Sequence, residues 1–183
     1  MTFTPTHLDG CFIIEPNVIK DSRGYFMESF NLERFEKGTG FKVNFVQDNQ
    51  SFSTKGVLRG LHYQTGTFAQ AKLVRVLEGE VLDVAVDIRP ESKTYGQYVS
   101  VVLSAQNHKQ LFIPRGFAHG FLVLSDTATF FYKCDNLYNK ESEGGIMYND
   151  PAIDINWEMD ASNLIISDKD LLLPNLENSK KIW

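Results

Sequence analysis

The sequence predicts an all-β sandwich or barrel, and three observations carry that prediction. Short runs rich in β-branched and aromatic residues recur along the chain, each bounded by Gly, Pro, Asn, Asp or Ser. Only one convincing short helix interrupts them, whereas a parallel α/β sheet needs a crossover helix between successive strands. Fourteen Phe and seven Tyr, against two Trp, suit a core lined by aromatic strands.

Phe12-Ile13-Ile14 reads as the first strand, stopped before Pro16, which has no N–H to give a ladder. Asp21-Ser22-Arg23-Gly24 is a turn, and Tyr25 to Phe30 is the next strand, with Phe26, Glu28 and Phe30 on one face. Asn31 caps a helix from Leu32 to Lys37, which Gly38 ends. Val43 to Ser51 is a strand with Val43, Phe45, Gln47 and Asn49 in phase. In the strand Val57 to Gln64, strict alternation puts Leu58, Gly60, His62 and Gln64 opposite Arg59, Leu61 and Tyr63. After the loop Thr65 to Phe68, Gln70 to Leu77 sets Lys72, Val74 and Val76 in phase, and Gly79-Glu80 is a hairpin turn. Val81 to Ile88 alternates Leu82, Val84, Val86 and Ile88 against Val81, Asp83, Ala85 and Asp87, which predicts an amphipathic strand with Asp87 in solvent. Arg89 to Gly96 is a loop, and Gln97 to Leu103 and Gln110 to Ile113 are strands. Pro114 to Phe121 combines a turn with an aromatic strand that continues to Leu124. Thr127 to Tyr138 is a long strand with Phe130, Tyr132 and Cys134 in phase. Glu141 to Gly145 is a polar turn, Asn149 to Trp157 is loop and short strand, and Leu164 to Leu173 is a short C-terminal extension before Pro174. With 183 residues and no repeat or linker, the expectation is one domain, 1–183, the extension starting at about residue 164.

A net charge of -5 argues against broad electrostatic binding to nucleic acid or to an anionic membrane. It leaves room for a small anion held by a few focused arginines. No apolar run approaches the roughly 20 residues of a membrane span. Met1 to Gly10 has neither the basic nor the apolar stretch of a signal peptide. The expectation is a cytoplasmic protein with Cys11 and Cys134 as reduced thiols.

Polar groups on apolar strands single out a few residues. His62 sits among apolar neighbours, and His119, between Ala118 and Gly120, has the open surroundings a ligand-facing side chain requires. The segments around them resemble the dTDP-4-dehydrorhamnose 3,5-epimerase family. They are Asp21-Ser22-Arg23-Gly24-Tyr25-Phe26-Met27-Glu28, Phe45-Val46-Gln47-Asp48-Asn49, Val57-Leu58-Arg59-Gly60-Leu61-His62, Lys72-Leu73-Val74-Arg75 and Asp83 to Asp87. Pro114 to Phe121, Phe131-Tyr132-Lys133, Ser142-Glu143-Gly144 and Ser167-Asp168-Lys169-Asp170 follow in the same order, so the resemblance covers about Phe12 to Pro174.

The resemblance implies a cupin-type jelly-roll barrel, a homodimer, no cofactor, and a dTDP-4-keto-6-deoxyhexose substrate. The 4-keto group acidifies the protons on carbons 3 and 5, a base removes each, and an acid returns it on the opposite face. By resemblance His62 is the base, Asp170 its partner with Asp168 as rival, Lys72 the cation for the enolate oxygen, and Tyr132 the acid. The chemistry fits independently, since histidine is part neutral near pH 7 and an enolate is basic enough to take a phenol proton. Arg23, Arg59 and Lys169 resemble positions that bind diphosphate and substrate, with Glu28, Gln47, Asp48, Asn49, Lys72, His119 and Glu143. Tyr138 resembles the aromatic that stacks on thymine. Arg59 and His62 fall on opposite faces by parity, and a bulge at Gly60 restores a common face. Metal-binding cupins carry a His-x-His pair. Here the stretch is His62-Tyr63-Gln64, and only His7 and His108 remain outside the motifs, so no metal is expected. Three further readings share parts of the pattern: an epimerase of carbon 3 or carbon 5 alone, a non-catalytic nucleotide-sugar-binding cupin, and a metal-dependent cupin dioxygenase.

Overall fold

The alternating strands pair into two antiparallel sheets that close a jelly-roll barrel in the computed structural model, which describes all 183 residues. With strands numbered in chain order, one sheet runs β1 (Thr2–Pro5), β2 (Phe12–Glu15), β10 (Gln110–Ile113), β7 (Lys72–Glu78), β12 (Thr127–Cys134), β5 (Gln47–Thr54). The other runs β13 (Glu143–Gly145), β6 (Val57–Gln64), β11 (Phe117–Val123), β8 (Glu80–Asp87), β9 (Tyr98–Ser104), with β14 (Ile165–Ile166) parallel to β6. β3 (Val18–Asp21) and β4 (Gly24–Met27) pair only with each other, as a separate hairpin.

Three apolar layers hold this arrangement. Between the sheets lie Val74, Val76, Val81, Ala85, Leu103, Leu111, Phe121 and Phe130. Outside the first sheet, α1 (Leu32–Thr39) lays Phe35 over Ile14, Leu73 and Phe112. Outside the second sheet, Ile146, Ile153, Trp157, Leu176 and Ile182 cover Leu58, Leu61, Leu82, Val84 and Val86. Burying apolar surface on both faces of each sheet contributes about 25 cal/mol per Å² of area removed from water, the main stabilising effect.

The helix begins as expected, with Asn31 Oδ1 accepting the Arg34 N–H at 3.1 Å. It runs past Gly38, because the Phe3 ring packs where a side chain on Gly38 would stand, and ends at the left-handed Gly40 (φ 77°). Other boundaries shift for local reasons. β12 stops at Cys134 because the Asp135 side chain turns back to accept the Ala71 N–H at 2.7 Å. β5 starts at Gln47 rather than Val43, β4 stops at Met27, and residues 149–157 form turns without a strand. β1, β3, β13 and β14 are strands the pattern does not announce, β13 standing where a polar turn was expected; each is only two to four residues long.

β8 departs most from expectation. Its alternation is real, but the face carrying the aspartates looks into the barrel and the other is covered by the C-terminal half. Seven of its eight residues are therefore buried. Asp87, expected in solvent, is fully buried. It accepts the Arg89 N–H at 3.0 Å, Arg89 Nε at 2.9 Å and Nη2 at 2.7 Å, Ser92 Oγ at 2.5 Å and Thr94 Oγ1 at 2.6 Å. Burial pushes its carboxyl up, but the hydrogen bonds of Arg89, Ser92 and Thr94 together outweigh it and hold the carboxyl below the usual range. A carboxyl depressed by folding stabilises the protein above its unfolded pKa of about 4 and loses that contribution as pH falls through the folded value. Asp87→Ala is expected to cost about 3 kcal/mol at neutral pH, the low end for a broken buried pair because Arg89 keeps some contact with water. The difference between wild type and variant in urea unfolding should shrink below pH 4; a constant difference would assign the loss to packing alone.

Candidate active site

Between the sheets, at one end, opens a cavity of about 790 Å³. β6 and β11 supply one wall, β5, β7 and β12 the opposite one, and the segment around α2 (Asp168–Leu171) closes the side next to β6. Arg59, His62, Lys72, Gln47, Asn49, His119, Tyr132, Tyr138, Glu143, Lys169 and Asp170 all line it.

Arg59 and His62 reach the same wall through the bulge expected at Gly60. His119 lies opposite His62 and Phe121 opposite Arg59, so Gly60 and Leu61 of β6 face Gly120 alone. Gly60 has φ +131°, and a Cβ there would lie 2.6 Å from Gly120 Cα, so the two strands touch backbone to backbone at this point. Upstream of the bulge the odd residues face inward; downstream the even ones do, and Leu58, Leu61 and Tyr63 pack together on the outside.

His62 Nε2 stands 2.8 Å from Asp170 Oδ1, and Asp170 Oδ2 accepts the Gly60 N–H at 3.2 Å. Asp170 is buried, whereas Asp168 is exposed and touches nothing in the site. The one-turn α2 is capped by Ser167, whose Oγ accepts the Asp170 N–H at 3.2 Å, so the carboxylate is fixed by its own backbone. Burial pushes the Asp170 carboxyl up; the His62 hydrogen bond, the His62 charge, the Gly60 N–H and Lys169 together pull it below the ordinary value. His62 Nδ1 has no protein partner and is not enclosed, so it is free toward the cavity.

Tyr132 faces His62 from the other sheet. Its ring lies against Phe130 and under Lys72 Nζ, 5.7 Å from the ring centre. Burial pushes the phenol pKa up, which keeps the hydroxyl protonated as a donor. Burial lowers the Lys72 pKa, and no carboxylate hydrogen-bonds its ammonium. A cation partly desolvated and left unpaired is disposed to meet an anion that forms beside it.

At the mouth Tyr138 is half exposed. Gln47 Oε1 accepts its N–H at 3.1 Å, and its hydroxyl donates to Glu143 Oε2 at 3.2 Å. Lys169 Nζ donates to Glu143 Oε1 at 2.7 Å. Burial raises the Glu143 pKa, but the Lys169 hydrogen bond and charge outweigh it, so the carboxyl sits below its ordinary value.

Three residues named by resemblance do not reach this cavity. Arg23 is exposed at the tip of the β3–β4 hairpin and pairs with Asp21 at 2.6 Å. Glu28, just after the hairpin, pairs with Arg34 at 3.2 Å. Asp48 alternates with Gln47 and Asn49, points to the outer face of β5 and binds Lys133 at 3.0 Å. Reading the strands also missed two residues. Gln64 accepts the Asn139 N–H at 2.8 Å and anchors the Tyr138 loop. Asp83, fully buried in β8, stands 2.8 Å from His119 Nε2.

A family model described as dTDP-4-dehydrorhamnose 3,5-epimerase matches residues 5–178. The chain is 56% identical to the dTDP-4-dehydrorhamnose 3,5-epimerase of Shigella flexneri over 93% of each chain. Its fold is similar to that of the dTDP-4-dehydrorhamnose 3,5-epimerase from Elizabethkingia anophelis NUHP1, with TM-score 0.95 and 52% identity over 100% of this chain and 99% of that one. It is also similar to the dTDP-6-deoxy-D-glucose-3,5-epimerase of Legionella pneumophila Philadelphia 1, solved with dTDP-4-keto-L-rhamnose, with TM-score 0.93 and 50% identity over 97% and 93% of the two chains.

Proposed function

The chain belongs to the dTDP-4-dehydrorhamnose 3,5-epimerase family, and from that premise we propose how its cavity inverts both carbons beside the 4-keto group of a dTDP-4-keto-6-deoxyhexose. It is an isomerase, and the ketone itself supplies the acidity that the reaction needs. His62 takes the proton from carbon 3 or carbon 5 with the free Nδ1, while Asp170 holds Nε2–H and stabilises the imidazolium. Lys72 offers its unpaired ammonium to the enolate oxygen. Tyr132 returns a proton from the other side. The observation that carries this reading is the placement of His62 and Tyr132 on opposing sheets, so that a flat enolate between them meets base and acid on opposite faces. Outside that reacting centre, Arg59 and Lys169 hold the diphosphate and Tyr138 stacks on thymine at the mouth. The test is proton exchange in deuterated water with dTDP-4-keto-6-deoxyglucose, followed by NMR. Exchange at both carbons supports the reading; exchange at one identifies a mono-epimerase, and none leaves a binding protein.

The working form is a homodimer. The β3–β4 hairpin pairs with neither sheet and exposes Ile19, Tyr25 and Phe26. Arg23 and Glu28 lie on this outlying segment, where they serve a neighbour's cavity rather than their own. Obligate dimers commonly bury more than about 2,000 Å². Sedimentation is expected to give a dimer at micromolar concentration, and a stable monomer there would reject the assignment.

A further inference from the structure

We infer that Asp83 is a positioning residue for the epimerisation: acting through His119, it turns a hydrogen-bond acceptor, Nδ1, toward a hydroxyl of the sugar. This rests on the reading above, that the cavity is the epimerisation site. Asp83 and His119 sit on neighbouring strands, both buried, with Asp83 Oδ1 and His119 Nε2 2.8 Å apart. The other carboxylate oxygen, Oδ2, is buried with no partner. A carboxylate whose single protein partner is this nitrogen requires a proton on it, since two facing acceptors would repel. The proton on Nε2 leaves Nδ1 as the lone-pair nitrogen of the neutral ring. Nδ1 has no partner within the protein and is not enclosed, so it opens on the cavity that His119 lines.

The ring is also held in its plane. It stacks on Phe130 at 6.0 Å and 24°, and Phe130 stacks on Phe121 at 4.2 Å and 16°. His119 is the register partner of His62 across β11 and β6. Two imidazoles thus stand side by side, each with Nε2 on a buried carboxylate and Nδ1 free. Their surroundings separate their tasks. His62 has about a third of its side chain exposed and can exchange its proton with water after each turnover, whereas His119 is closed in at 7%. A neutral Nδ1 accepts, so the group it holds must donate. The keto oxygen and the diphosphate only accept, and the donors of thymine and deoxyribose go with the nucleotide to Tyr138 at the mouth, which leaves a hydroxyl of the hexose. Holding that hydroxyl sets the ring's rotation above His62, and a rotation error there falls on the proton-transfer step more than on nucleotide binding.

The experiment uses the enzyme labelled with ¹⁵N-histidine. His119→Asn assigns the His119 signals in long-range ¹H–¹⁵N spectra near neutral pH. The expected result is the Nε2–H tautomer, with the Nδ1 signal moved by dTDP-4-keto-6-deoxyglucose but not by dTDP alone. Asp83→Asn is expected to lower kcat by about 10- to 100-fold, the range seen when an outer partner that orients a histidine is lost, with dTDP affinity unchanged. Asp83→Asn added to His119→Asn should cost nothing further, because the carboxylate acts only through the ring. His119 found as Nδ1–H or as imidazolium overturns the inference, as do losses that multiply in the double variant, or full activity of Asp83→Asn. If Asp83→Asn does not fold, the wild-type tautomer and its response to the sugar decide alone. If His62→Ala and His119→Asn both keep wild-type turnover, the site reading itself falls; if they are impaired and Asp83→Asn is not, only the role of Asp83 does.

Discussion

His62→Ala is expected to abolish deuterium exchange at carbon 3 and at carbon 5 together, while dTDP still binds. The two losses go together because one imidazole serves both positions; its neighbour His119 is closed in at 7% exposure, without the contact with water through which His62 sheds its proton. Loss of a positioned general base lowers the rate by about 100- to 10,000-fold. Binding persists because Arg59, Lys169 and Tyr138, which are proposed to hold the nucleotide, donate their side-chain hydrogen bonds to Ser53 and Glu143 and none to His62. Asp170 loses its main partner but keeps the Gly60 N–H and the field of Lys169. The check is an NMR exchange time course beside a dTDP titration of the same sample. Near-wild-type exchange would move the base to another group.

Tyr132→Phe separates removal of the proton from its return. Phenylalanine keeps the ring that packs on Phe130 and lies under Lys72, so the fold survives. Only the hydroxyl is lost, and with it the donor on the sheet opposite His62. His62 still makes the enolate, and the histidinium or solvent then gives a proton back. The variant is therefore expected to incorporate solvent deuterium while forming little inverted sugar, a divergence that His62→Ala does not show. Exchange and product stereochemistry must be followed in one reaction. Inversion of both carbons at the wild-type rate would reduce Tyr132 to a packing residue and place the acid elsewhere.

How much of this was legible beforehand depended on whether the cause was local. The Asp21–Gly24 turn, the phases of β8 and β12 and the Asn31 cap depend on near neighbours and read correctly. Gly38 did not, because a distant Phe3 decides there, nor did Gly79, which reads as a hairpin turn but carries the chain from one sheet to the other, nor the phase of Val43 and Phe45, which pack outside the sheet whose Gln47 and Asn49 line the cavity. The bulge at Gly60 was legible because parity separated two residues that the resemblance required together. The burial of Asp83 and Asp87 was not, since alternation tells which residues share a face but not what lies over it. The segment covering the far side of β8 comes from Ile146 onward, some sixty residues later. Resemblance carried eleven of the named residues to one cavity. It was silent on side and distance for Arg23, Glu28 and Asp48, whose identities match but whose positions are set by the hairpin and by strand parity.

The extra residue in β6 decides where this strand can change its length. Two residues, Gly60 and Leu61, stand where uninterrupted pairing asks for one. Deleting one of them would complete the ladder with β11 and leave Arg59 opposite Phe121 and His62 opposite His119, both on the face they now occupy. Deleting a residue elsewhere in the strand would instead turn one side of it by half a turn and exchange an inward side chain for an outward one. Frame-preserving loss of the Gly60 codon should therefore preserve the phase of the strand, whereas the same loss at Leu58 or Tyr63 reverses it on one side.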